Sequence, residues 1–158
     1  MMRREILLGI LGIGLFMFAG RKVWALPSKG TKYAALFQSA EYANGLPPRL
    51  LARMAQQESD FNPDATNPSG AQGIMQIIPR YHPGVDPFNP LEAIPYAGNY
   101  MRQNFNRFGS WAKSLAAYNF GPTAVSRIEN KYNWLLLTPD ETQKYVTRIL
   151  GDLGIGII

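Results

Sequence analysis

The apolar residues of this chain recur at helical spacing in a series of short runs, and one tract between them is unsuited to helix. Lys32 to Asn44 sets Tyr33, Leu36, Phe37, Ala40 and Ala43 on one face and stops at Gly45. Pro47-Pro48 opens a second run, with proline tolerated in its first turn and a stripe of Leu51, Met54 and Ala55. Leu91 to about Arg107 turns Ile94, Ala97, Met101 and Phe105 inward. Ser110 caps a run carrying Trp111, Leu115, Ala116 and Tyr118, and Pro122 opens one through Val125 and Ile128. Thr138-Pro139-Asp140-Glu141 has the form of a capping box ahead of a helix to Leu150. From Ser59 to Gly73 the chain is instead rich in Asn, Pro, Asp, Ser and Gly, which predicts turns and short strands. Ile74 to Ile78 is a short apolar segment, and residues 80–90 read as a loop. With no repeats and no second composition regime, 158 residues of this pattern predict one core and one mostly helical domain.

The N-terminus follows a different rule. Arg3 and Arg4 precede the charge-free run Ile6 to Gly20, and Arg21-Lys22 closes it. That is the layout of an export signal, with Val23-Trp24-Ala25 as a cleavage pattern. The fifteen-residue run reaches roughly 22 Å as a helix against a hydrocarbon core of about 30 Å, which flanking Arg and Lys could bridge by snorkelling. Residues 1–25 are therefore expected to be a signal peptide or membrane anchor and 26–158 the folded domain. Arg3, Arg4, Arg21 and Lys22 against Glu5 supply +3 of the formal charge of +5. The basic excess thus reports export or anchoring rather than an anionic partner, and no nucleic-acid recognition motif is present.

The absence of cysteine excludes thiolate chemistry and thiolate metal sites, and a single histidine, His82, argues against a His-rich metal site or a Ser–His–Asp hydrolase. Carboxylates, Lys, Tyr and Ser remain. One carboxylate stands out. Glu58 lies seven residues after Leu51, four after Met54 and three after Ala55, on the apolar face of its helix. Desolvation there, with the negative end of the helix dipole close by, raises a carboxyl pKa towards that of a general acid. The bland alternative is a rim position paired with Arg53 or Arg49.

The neighbouring residues favour chemistry. The stretch from Glu58-Ser59-Asp60-Phe61-Asn62-Pro63 through Gly70-Ala71-Gln72-Gly73-Ile74-Met75-Gln76 to Pro79 resembles the signature of the soluble lytic transglycosylase (SLT) family. That signature runs E-S-x-[FW]-N-P, then G-A-x-G-L-M-Q, then a Pro three positions on. Ala116-Ala117-Tyr118-Asn119-Phe120-Gly121-Pro122-Thr123-Ala124-Val125 resembles the family's A-Y-N-A-G-P-x-x-V, and Glu141-Thr142-Gln143-Lys144-Tyr145-Val146 its E-T-x-x-Y-V. The blocks keep the family's order and span about residues 36 to 150. Two positions depart from it. Ile74 replaces the usual Leu, and Asn67 stands where many members have Ser.

The resemblance implies an α+β, mainly α, lysozyme-like domain with a small loop and short-strand region, and a peptidoglycan-cleaving enzyme that needs no cofactor or metal. Glu58 would be the sole catalytic carboxyl. Met75 and Gln76 would line the cleft, Tyr118 would orient Glu58 by hydrogen bonding, Asn67 and Asn119 would meet substrate polar groups, and Tyr145 would form part of the sugar-binding wall. On the residues alone, Met75 reads equally as core, Asn119 as a helix C-cap and Tyr118 as packing. Asp60, Asp64 and Asp86 are poorly placed as a second carboxylate, so the resemblance implies intramolecular attack by the muramic C6 hydroxyl, giving 1,6-anhydromuramic acid. A goose-type-like hydrolase on the same fold, or an inactive wall-binding relative, are the alternatives. Tyr81, Phe88, Tyr96, Tyr100, Phe120 and Tyr145 are candidates to stack on sugar rings. The expected setting is exported, periplasmic or inner-membrane anchored, or virion-associated, with membrane contact only through the N-terminal segment. Partners beyond the glycan would belong to a secretion or conjugation apparatus or a phage particle.

Overall fold

A computed structural model describes residues 24–130 and 132–157, so the expected leader lies outside the described residues apart from Trp24 and Ala25. After a 3-10 turn at Ser28–Tyr33, six helices follow: α1 (Ala34–Ala43), α2 (Leu50–Ser59), α3 (Pro90–Phe108), α4 (Trp111–Phe120), α5 (Pro122–Ser126) and α6 (Asp140–Leu153), with a second 3-10 turn at Trp134–Leu137. The mostly helical expectation holds. The short strands expected between Ser59 and Gly73 reduce to two isolated antiparallel bridges, Thr66 with Gln72 and Gln72 with Ile77. Closely spaced turns leave no stretch long enough for a ladder.

One core serves the whole domain. Leu50, Leu51 and Met54 of α2, Ile94 and Met101 of α3, Leu115 of α4 and Val146, Ile149 and Leu150 of α6 are fully buried in it, together with Ile74 and Met75. The apolar stripes read from the sequence are the faces that meet there. Trp24 joins the same assembly. Its indole Nε1–H donates to Gln56 Oε1 at 2.8 Å, and its carbonyl accepts from Arg49 Nη1 at 2.8 Å. Trp24, on the leader side of the boundary expected at residue 26, thus touches the folded domain.

Helix α2 carries Glu58, and both its ends are set by contacts that the spacing pattern does not show. Pro47 and Pro48 lie before the helix rather than in its first turn, because Arg49 takes a left-handed backbone (φ 70°) that a helix cannot include. No capping side chain sits at Arg49. Instead Glu41, buried in α1, turns its carboxylate onto the free N–H groups, accepting from Arg49 N at 2.8 Å and Leu51 N at 2.9 Å, with Ala52 N at 3.5 Å. An anion on the positive end of a helix satisfies donors that otherwise have no partner. At the other end Asp60 (φ 50°) and Phe61 (φ 65°) are both left-handed, and Phe61 N–H bonds the Ala55 carbonyl. The helix thus stops directly after Glu58-Ser59 while Phe61 folds back into the core. Replacing Glu41 with Ala is expected to lower stability by about 3 kcal/mol through stranded buried donors. Urea unfolding measures it, and a loss below about 1 kcal/mol would contradict the capping role.

Helix α6 begins differently from expectation. Thr138 and Glu141 form no capping box, since Pro139 is the N-cap with no side-chain bond, and the Thr138 hydroxyl donates to Leu135 O at 2.7 Å. The Thr138 backbone N–H also donates to Leu135 O, at 3.0 Å, so Thr138 closes the Trp134–Leu137 turn with both its groups and leaves Glu141 no donor to reach back to. The Pro122 helix also ends early, at Ser126, because Arg127 and Ile128 bond carbonyls three residues back in a tighter turn. Ser110 caps α4 as its sequence predicts, accepting from Lys113 N.

Candidate active site

Glu58 stands in the last turn of α2, half-buried on the face that meets α6. Tyr145 of α6 donates its hydroxyl to Glu58 Oε1 at 2.7 Å. Burial pushes the Glu58 carboxyl up to about 7; the Tyr145 bond opposes that rise and the charge of Glu141 adds to it. The arginines of the alternative reading are engaged elsewhere. Arg53 Nε donates to Asp152 at 2.7 Å and its Nη2 to Gln57 at 3.2 Å, while Arg49 holds the Trp24 carbonyl. Glu58 is thus a desolvated acid bonded to a phenol, not half of an ion pair.

A cavity of about 240 Å³ opens beside it, lined by Gln57, Glu58, Asn67, Gln76, Asn119, Glu141, Lys144, Tyr145 and Arg148. Segments far apart in sequence meet here, and five of the seven residues singled out from the sequence are among them. Asn67 Oδ1 accepts from Ala71 N at 3.0 Å, closing its own turn and leaving its amide N–H groups to offer the cavity. Gln76 takes a left-handed backbone (φ 48°), and its Nε2 donates to Gly73 O at 3.0 Å and Ala65 O at 3.3 Å. Asn119 Oδ1 accepts from the buried Thr142 hydroxyl at 2.7 Å, which fixes the amide between α4 and α6. A strained residue and three anchored amides give a rigid polar wall.

Two expectations are corrected. Met75 does not line the cavity; its side chain is fully buried, and the segment contributes there through Gln76 instead. Tyr118 does not hydrogen-bond Glu58 but donates to the Met75 carbonyl at 2.7 Å, fastening α4 to the loop region. Tyr145 makes the bond expected of Tyr118. Burial and the adjoining Glu58 charge raise both phenols well above their ordinary value, so each is a neutral donor.

Sequence reasoning missed Glu141, Lys144 and Arg148. The signal was present, because 141, 145 and 148 fall at helical intervals from one another on one face of α6. The aromatic candidates divide. Tyr81, Phe88 and Phe120 are exposed, whereas Tyr96 and Tyr100 pack edge-on around His82, whose Nδ1 lies 2.8 Å from the Tyr96 hydroxyl. A larger hollow of about 650 Å³ runs among Ser28, Lys29, Lys32 and Ser59 to Pro63, but it excludes Glu58, and Lys29 there is paired with Asp60. Among the described residues no group of His, Asp and Glu could hold a metal ion.

Comparison with known proteins gives the family and the fold. The chain matches the family model of the transglycosylase SLT domain over residues 35–136. It is 31% identical over 122 residues to the transglycosylase of Enterobacteria phage PRD1, covering 73% of this chain and 43% of that one. It is 32% identical over 122 residues to membrane-bound lytic murein transglycosylase D of Escherichia coli K12, covering 66% and 27%. The 70 kDa soluble lytic transglycosylase of Escherichia coli superposes with a TM-score of 0.64 at 28% identity, covering 76% and 23%. The chain spans less than half the length of each of these proteins.

Proposed function

Because the chain belongs to the transglycosylase SLT family, we propose that it cleaves the β-1,4 bond between N-acetylmuramic acid and N-acetylglucosamine in peptidoglycan, leaving a 1,6-anhydromuramic end. The observation that carries this reading is Glu58, held by Tyr145 in a polar cavity with its carboxyl raised to about 7. With Oε1 occupied by the Tyr145 hydroxyl, the acid proton resides on Oε2, the oxygen left for the glycosidic bond. Glu58 gives that proton to the departing oxygen. The muramic 2-acetamido oxygen assists departure at C1, and the C6 hydroxyl of the same sugar then attacks C1. Ionised Glu58 takes the hydroxyl proton and is restored, and no water is consumed. The nucleophile belongs to the substrate, so the protein supplies position and proton transfer. Asn67, Gln76 and Asn119 are assigned to the sugar's amide and hydroxyl groups.

Digestion of purified peptidoglycan by the full chain tests the activity. Release of soluble muropeptides is expected, and intact sacculi after prolonged incubation would overturn it. Glu141 favours one second reading, hydrolysis with Glu141 as the base that activates water; its products carry reducing ends.

Protonated Glu58 starts the reaction, so kcat/KM should fall as pH rises through about 7. Glu141→Gln removes a charge that raises the Glu58 carboxyl and moves this limb to lower pH. Tyr145→Phe removes a bond that lowers it and moves the limb to higher pH, with a fall in kcat. Shifts of the same sign in both variants would contradict the electrostatic account.

We also assign residues 1–25 to export or anchoring, placing the domain outside the cytoplasm. Trp24 bears on the choice, since cleavage after Ala25 would remove its contacts with Gln56 and Arg49; this favours a retained anchor. Similarity to a phage transglycosylase supports a virion setting, and similarity to a membrane-bound one supports an envelope setting. Among the described residues no helix is long and apolar enough to cross a membrane.

A further inference from the structure

The polar wall around Glu58 suits neutral N-acetyl sugars, but two of its members do not. Lys144 and Arg148 stand one turn apart on the exposed face of α6, and both line the cavity. The ion pairs among the described residues, Lys29 with Asp60 and Arg53 with Asp152, involve neither of them. A neutral glycan offers hydroxyl and amide acceptors to two unpaired cations but no counter-charge. N-acetylmuramic acid differs from N-acetylglucosamine by a lactyl ether on O3, which ends in a carboxylate or carries a peptide that bears carboxylates.

We propose that Lys144 and Arg148 form a carboxylate-recognition edge of the Glu58 cavity, engaging the acidic substituent on O3 of N-acetylmuramic acid. The proposal rests on the peptidoglycan reading above and adds to it the group by which the strand is told from an uncharged glycan. The acidic residues of the cavity are Glu58 and Glu141. Along α6, Lys144 stands one turn from Glu141 and Arg148 two turns, an axial rise of about 10 Å, so the anion is assigned to the Arg148 end of the edge, farther from that carboxylate. Arg148 presents a planar fork that matches a carboxylate, and Lys144 adds a point charge beside it. The bonds formed are reversible ion pairs, so these are binding residues and take no part in proton transfer.

The test compares the full chain with its Lys144→Gln/Arg148→Gln double variant on three strands: peptide-bearing peptidoglycan, strands stripped of peptide, and strands whose carboxylates are amidated with carbodiimide and methylamine. On carboxylated strands the double variant should raise KM by about ten-fold with kcat within two-fold. Its KM should also respond less to added salt than the wild type's. On amidated strands the two proteins should have the same KM. A loss confined to stripped strands assigns the lactyl carboxylate, and one confined to peptide-bearing strands assigns the stem peptide; either supports the proposal. An unchanged KM on both carboxylated strands, or an equal loss on amidated ones, overturns it. Arg127→Gln, an exposed change outside the cavity, should leave all values unaltered. If the wild type releases product from no strand, the peptidoglycan reading fails instead.

Discussion

Glu58→Gln should lower turnover on peptidoglycan by about 10²–10⁴-fold and at the same time raise stability above pH 7. The two effects share one cause. The carboxyl sits at about 7 in the folded protein against 4.5 for the unperturbed group, so folding binds its proton more tightly than unfolding does. Stability linked to this group is therefore fully present below pH 4.5 and is lost as pH rises through 7. At pH 7 and above the loss is on the order of 3 kcal/mol. A neutral amide of the same shape escapes it. Thermal melts at pH 5 and pH 8 read the difference: the variant's advantage should be small at pH 5 and several degrees at pH 8. Near-wild-type turnover would remove Glu58 from the chemistry. An inactive variant that is also less stable at pH 8 would show damage to the fold rather than loss of an acid.

Gly73→Ala should be among the most damaging single-methyl additions in the domain, costing about 4 kcal/mol or more and abolishing activity. A Cβ on Gly73 would lie 1.7 Å from the Pro87 carbonyl oxygen, and the backbone there is left-handed (φ 72°). No side chain can yield, because both partners are main chain. The displacement would also be felt at Gln76, whose backbone and side-chain N–H groups bond the Gly73 carbonyl. Gly70, three residues earlier in the same motif, is the control. It too has a positive φ, 86°, but a Cβ there meets nothing within 4 Å. Gly70→Ala should cost only the strain of a left-handed alanine, about 1 kcal/mol. Chemical denaturation of both variants separates crowding from backbone strain. Equal losses would mean that the approach of Gly73 to Pro87 is unimportant.

The helical domain was legible because its runs bury contiguous stripes, and a stripe is a property of spacing. Glu58 was legible for the same reason. It interrupts a stripe, and a carboxyl on that face must be desolvated. What escaped were relations between elements. Nothing in Tyr118 or Tyr145 taken singly says which phenol meets Glu58; the packing of α6 on α2 decides it. Met75 sits between Ile74 in the core and Gln76 at the cavity, and the left-handed turn at Gln76 gives the cavity to the later residue. Glu141 was hidden by a local rule that loses. Its spacing from Thr138 makes a capping box on paper, but Thr138 closes the preceding turn, which frees Glu141 for the cavity. Glu41 was hidden more deeply, since a helix capped by a carboxylate from its predecessor leaves no short-range pattern.

Glu141 also defines the sharpest question for the chemistry, because a second carboxylate beside Glu58 is what hydrolysis needs and intramolecular attack does not. Mass analysis of the muropeptides released from purified peptidoglycan answers it. Intramolecular attack by the C6 hydroxyl predicts products one water lighter than the corresponding reducing muropeptides, from wild type and Glu141→Gln alike. Products of full hydrolytic mass would contradict the account and give Glu141 the role of base.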